Sequence, residues 1–177
     1  MRIAGLIRAA IALAAGMILA ACTTGGPQQV TPIPVDAGRA ASLVSAYRGA
    51  HGLGRVGVDS RLMQAAAAHA RAMGERDRIS HRIGGSLARR VSAAGYEWSA
   101  TAENLGAGFS SLDVAMAGWK DSAGHRTNLL NPNVTEIGIA AVAAPPGSKH
   151  RNYWALILSA PMPERRAEGP FALEPIR

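Results

Sequence analysis

A single cysteine, Cys22, in 177 residues leaves no partner for an intrachain disulfide, so stability has to come from a packed core. Aromatic residues make up only 5 % of the chain, and no basic stripe is interleaved with them. Nucleic acid is therefore not an expected partner, because single strands are gripped by such stripes. No uncharged apolar run reaches the ~20 residues that a membrane-crossing helix requires. A Gly-x-Ser-x-Gly nucleophile elbow is missing too, which removes the commonest serine-hydrolase signature. Acids are in short supply, with 12 Asp and Glu against 19 Lys and Arg. A basic surface suits anionic lipid headgroups or envelope polymers, and it also aids solubility.

The first residues read as an export signal. Arg2 and Arg8 supply positive charge, Ala9 to Ile18 forms a short apolar stretch, and Leu19-Ala20-Ala21-Cys22 resembles a bacterial lipobox. Residues 1–21 are thus expected to be a lipoprotein signal peptide cleaved before Cys22, whose thiol then takes a diacylglycerol. Two or more acyl chains anchor stably, each buried methylene adding about 0.8 kcal/mol. Thr23 stands where lipoproteins kept in an inner membrane often carry Asp. The expected location is the cell envelope, lipid-anchored and extracytoplasmic, at the outer membrane facing the periplasm if the cell is Gram-negative. Loss of Arg2 and Arg8 leaves 17 cations of the original 19 against 12 acids, a formal charge of +5.

Residues 22–35 have no periodicity and read as the lipidated Cys and a flexible tether, 36–160 as one domain, and 161–177 as a loosely ordered tail. Asp36 caps a first helix with Ala40, Leu43, Val44 and Tyr47 on one stripe, broken by Gly52 and Gly54. Asp59 caps a second, with Leu62, Ala66, His69 and Met73 on one face. His69, inside that stripe, reads as a hydrogen-bonded core residue. Ser86 caps a short third helix that stops at Gly95. Trp98 to Leu105 reads as a strand; Ser110 and Asp113 form a capping-box pattern for a fourth helix closed by Gly124, with one more turn over His125 to Leu130. Glu136 to Ala144 and Asn152 to Ser159 are strands apolar on both faces, so helices must cover the sheet above and below.

Among only five His, His81 and His125 join Glu103 as two imidazoles and a carboxylate from separate elements. Such a set can hold a divalent metal, Zn2+ first on donor type, or polarise a small ligand. Taken singly, His81 could donate to a loop carbonyl, His125 could face a helix C-terminus, and Glu103 could pair with an Arg. Ser122 lies three residues before His125 and shares its helix face, but a working nucleophile there also needs an orienting acid and an oxyanion hole, and no nucleophile elbow surrounds it.

Ser80-His81, Glu103-Asn104-Leu105, the run Trp119-Lys120-Asp121-Ser122-Ala123-Gly124-His125-Arg126-Thr127-Asn128-Leu129-Leu130-Asn131-Pro132, and Tyr153-Trp154 together resemble the bacterial branch of the CAP superfamily. That superfamily comprises cysteine-rich secretory, antigen 5 and pathogenesis-related 1 proteins. The resemblance runs from about Asp36 to Ser159. It implies an α+β fold, a three-layer α-β-α sandwich with a small, largely antiparallel central sheet, together with an extracytoplasmic location and a central cleft. It implies no single activity. Family members that coordinate a metal use two His and two Glu. His81 matches the first His and Glu103 the first Glu, but Ser122 stands at the second Glu and Tyr153 at the second His. Ala155-Leu156 replace a frequent Thr-Gln, and His125 falls where bacterial members place a nearby imidazole. The resemblance thus implies His81, Glu103 and His125 as ligands, Ser122 as a weak fourth, and Tyr153 as a hydrogen-bonding wall.

The function that follows is a membrane-tethered, non-catalytic binding module whose cleft can hold a divalent cation and a ligand: a lipid, an envelope polymer or a protein. The alternatives are a metal-dependent hydrolase with Glu103 as general base, and a structural envelope protein with a vestigial cleft.

Overall fold

The last two strands dominate the architecture, as their unbroken apolar sequences require. In the computed structural model, which describes residues 29–163, β4 (Glu136–Ala143) and β5 (Asn152–Pro161) pair antiparallel at the centre of a sheet. The expected signal peptide, Cys22, the first part of the tether and residues 164–177 lie outside the described residues. β3 (Trp98–Ala107) pairs antiparallel with the far side of β5, and β1 (Thr31–Ile33) with β4. A two-residue strand, β2 (Gly57–Val58), runs parallel to the start of β4. The order β1-β4-β5-β3 is the small, largely antiparallel sheet expected.

Alternate residues of β5 feed two separate cores. Tyr153, Ala155 and Ile157 pack with Leu62, Ala66 and Met73 of α2 (Ser60–Glu75) and Val91 of α3 (Leu87–Ala93). Trp154, Leu156 and Leu158 pack on the opposite face with Val44 of α1 (Ala37–Gly49), Met116 and Trp119 of α4 (Leu112–Asp121), and Leu129 of α5 (Ala123–Leu129). Five helices among the described residues thus enclose the sheet in three layers. None of them is long and apolar enough to cross a membrane.

Asp36, Asp59 and Ser86 each accept a backbone N–H as the N-caps expected. α2 lies so close to the sheet that Gly138 of β4 faces helix backbone. A Cβ there would stand 2.1 Å from the Leu62 carbonyl carbon and 2.4 Å from the Met63 nitrogen. Only a residue without a side chain allows that approach.

Four local expectations are corrected. Thr31–Ile33 is not free tether, because β4 offers a strand edge that pairs Thr31 with Ala143 and Ile33 with Ala141. The fourth helix is capped by Ser111, which accepts from Val114 N, rather than by Ser110. Gly124 does not close that helix: Ser122 breaks it with extended ψ 123°, and Gly124 lies inside the seven-residue α5. β3 and β5 each run two residues further than expected, to Ala107 and Pro161.

One buried cation joins the layers. Arg48, 1 % exposed, donates to the carbonyls of Gly54, Leu129, Asn131 and Val134 at 2.7–3.0 Å. It ties α1 to the segment that leaves α5. Burial holds its pKa below the usual value for arginine.

Candidate functional site

Glu103 is the middle of the site, and the pleat of β3 decides its neighbours. Its side chain shares a face with Leu105, toward α2 and α3, while Asn104 turns to the α4–α5 face. The carboxylate is 2 % exposed and receives cationic or imidazole groups from three directions. His81 Nδ1 donates to Oε1 at 2.8 Å, Arg90 Nη2 donates to Oε2, and His69 Nε2 stands 3.5 Å from Oε2. A carboxylate only accepts, so the His81 proton sits on Nδ1 and Nε2 points away from the pair. The His81 ring is 62 % exposed.

Each of these side chains arrives by a different local rule. α2 ends in the turn after Glu75 and releases the loop that carries His81. Arg90 lies on the inward stripe of α3 with Leu87 and Val91, and it is 9 % exposed. Its Nη1 donates to His81 O at 2.9 Å and to Gly85 O at 2.6 Å. One guanidinium therefore braces the His81 backbone and the Glu103 carboxylate together. Behind this network an apolar cavity of about 360 Å³ opens between α2 and α3, walled in part by Ala65, Ile83, His69 and Arg90.

His125 reaches the same strand from the other side. Asn104 Nδ2 donates to His125 O at 3.0 Å. Asn128 Nδ2 donates to Asn104 Oδ1 at 2.9 Å and to Glu103 O at 3.0 Å. Trp119, fully buried, donates its indole N–H to Leu105 O at 2.9 Å. The three Asn and the Trp thus act as structural residues, Asn131 Oδ1 accepting from Asn133 N. Burial lowers the pKa of His125, and the nearby His81 lowers it further.

The sequence-derived site is assembled in part. His81 and Glu103 bond directly, and His125 sits within electrostatic reach of His81. Among the described residues, however, no group of three or more His, Cys, Asp and Glu is arranged to hold a metal ion. Ser122 occupies the α4–α5 junction and its side chain makes no capping hydrogen bond. Tyr153 is not a wall of this cleft. It is fully buried in the α2-side core and donates to Asp77 Oδ1 at 2.7 Å. Its place on β5 is four residues, roughly 13 Å, from Ile157, the partner of Glu103.

Sequence reasoning missed Arg90, although its position between Leu87 and Val91 on an apolar stripe was a usable signal. His69 is buried as expected, but its ring nitrogens make no hydrogen bond of regular geometry, with Glu103 and the Ile83 backbone within reach. Burial lowers its pKa from the usual 6.5, Glu103 opposing and Arg90 reinforcing the shift.

Both His69 and His125 are therefore held toward the neutral form in the fold, so the unfolded chain takes up protons first as the pH falls. Stability is expected to be intact above about pH 6.5 and to decline below it. Urea unfolding compared at about pH 8 and pH 5 should show this loss, and His69→Gln should reduce it. An unchanged midpoint would contradict the shifts.

The model of the CAP cysteine-rich secretory protein family matches residues 41–158. The uncharacterized protein YkwD of Bacillus subtilis is 29 % identical over 122 residues, covering 68 % of this chain and 46 % of that relative. The uncharacterized membrane protein YlbC of the same organism is 30 % identical over 99 residues, covering 55 % of this chain and 29 % of YlbC. The chain thus spans less than half the length of these curated relatives. An outer surface protein of Borrelia burgdorferi superposes with a TM-score of 0.66 at 19 % identity, over 76 % of this chain and all of that one. An extracellular SCP-domain protein of Bacillus anthracis superposes at 0.60 with 24 % identity, over 69 % of this chain and 39 % of that one.

Proposed function

Since the chain belongs to the CAP, or cysteine-rich secretory protein, family, we propose that it is an extracytoplasmic binding module, tethered through Cys22, whose ligand meets His81 and His125. Its structural relatives, an extracellular protein and an outer surface protein among them, support the location. The observation that carries a binding role over a hydrolytic one is the saturation of Glu103. Both carboxylate oxygens are occupied, by His81 and Arg90, and the group is sealed from solvent. A general base needs a free oxygen in reach of a water. Glu103 instead backs His81, whose outward Nε2 is left to accept from a neutral donor or, when protonated, to bind an acceptor.

The residues do not fit a resident divalent cation. A guanidinium already fills the carboxylate edge that a metal would need, and the remaining imidazoles make an incomplete donor set. Saturating zinc is therefore expected to leave the melting temperature unchanged, and the zinc-treated protein is expected to hydrolyse neither peptide nor ester libraries. A thermal shift abolished by His81→Ala with His125→Ala, or turnover lost in Glu103→Gln, would overturn this reading in favour of a metal-dependent hydrolase.

A further inference from the structure

Asp77 joins two basic segments that lie far apart in the chain. It sits between Arg76 and Arg78 at the end of α2, in the left-handed region with φ 44°. Its carboxylate accepts from Lys149 N at 2.9 and 2.8 Å and from Tyr153 Oη at 2.7 Å, which pins the β4–β5 hairpin to the α2 turn. Arg76, Arg78, Lys149 and Arg151 are thereby gathered at one pole, all exposed. Among the described residues no salt bridge engages Arg76, Arg78, Lys149 or Arg151. Beside them Ile79 is 42 % exposed.

The same pole receives the chain's entry into the fold. The described residues begin at Gln29, and Val30 packs so close to Gly74 that a Cβ there would stand 2.8 Å from Val30 Cγ1. Gly74 is two residues from Arg76. The length of chain between Cys22 and Gln29 reaches at most about 25 Å, so an anchor at Cys22 would hold this pole within that distance of its membrane, close enough to touch it.

We infer that this pole is a docking surface for an anionic phospholipid bilayer, with Arg76, Arg78, Lys149 and Arg151 meeting headgroup phosphates and Ile79 entering the interface. Asp77 holds the segments carrying four exposed cations together at one end of the fold, and an exposed apolar side chain among cations is the composition of a peripheral membrane contact. The lasting orientation, basic pole toward the bilayer, rests on the Cys22 tether proposed above. The lipid affinity does not.

The test is flotation of the mature chain, residues 22–177 carrying Cys22→Ala, with vesicles of phosphatidylcholine alone or with added phosphatidylglycerol. Binding is expected on the anionic vesicles only and should fall steeply with salt. Each cation removed should weaken it about five-fold, so Arg78→Gln shows that loss, whereas Arg55→Gln, at the opposite end of β4, does not. Replacing all four by Gln should reduce binding several hundred-fold. Equal binding to both vesicles, no effect of the four substitutions, or capture of soluble polyphosphate without vesicle binding would each overturn the inference. The tether is read separately in cells: wild type should resist a high-salt wash of membranes, and Cys22→Ala exported behind a signal that is cleaved independently of Cys22 should not. Retention of Cys22→Ala after that wash would sink the tether and leave the vesicle result standing.

Discussion

Arg48→Met is expected to destabilise the domain by about 3–5 kcal/mol, read as a lower urea midpoint with an unchanged slope. Methionine fills much of the space but donates nothing. It would leave the Gly54, Leu129, Asn131 and Val134 carbonyls without their common donor, and each buried acceptor so stranded costs about 1–3 kcal/mol. The cation itself is desolvated in the native state, and that penalty disappears in the variant, which is why the full sum is not reached. Arg48→Lys should recover only part of the loss, because an ammonium cannot fork across three segments. Amide exchange should accelerate from Leu129 to Val134, between α5 and β4, before it does in the sheet, loosening the support of α5 and therefore of His125. A change below about 1 kcal/mol would mean that water reaches these carbonyls and that Arg48 is not the joint between the layers.

Glu103→Ala is the second large effect, expected at about 3–5 kcal/mol. The substitution abandons Arg90, 9 % exposed, with its charge and no counterion, and leaves His81 Nδ1 without an acceptor. Glu103→Gln should be milder, at about 2 kcal/mol, because its carbonyl still accepts from one neighbour. Joint replacement, Glu103→Leu with Arg90→Met, should restore most of the stability while abolishing the alignment of His81. That double variant separates fold from function, being stable but unable to bind through His81. If the single and double variants were equally unstable, the Arg90–Glu103 pair would not be the source of the loss.

The three layers were legible because their signals are periodic or local. Side chains apolar on both faces of β4 and β5 demanded cover on both sides, and Asp36, Asp59 and Ser86 announced helix starts. β1 was not legible: three residues containing Pro32 carry no pattern, and the pairing is conferred by the edge of β4. Gly124 is the more conspicuous helix breaker between α4 and α5, yet Ser122 adopts the extended backbone. His81 and Glu103 stand out through family resemblance. Arg48 and Arg90 escape notice for the opposite reason, since a charged residue on an apolar stripe is discounted as solvated until its partners, up to 86 residues away for Arg48, are in view. Resemblance sets Tyr153 at the position of a lost imidazole, whereas its hydroxyl serves Asp77.

The outward carbonyls of Glu103 and Leu105 are taken by Asn128 and Trp119, so the outer margin of β3 is already capped where it borders His81. An extended peptide cannot be recruited there by strand addition, the route by which many open sheets capture partners and also the one by which they aggregate. Whatever engages this cleft is expected to meet it chiefly through side chains, with a shape other than that of a β-strand.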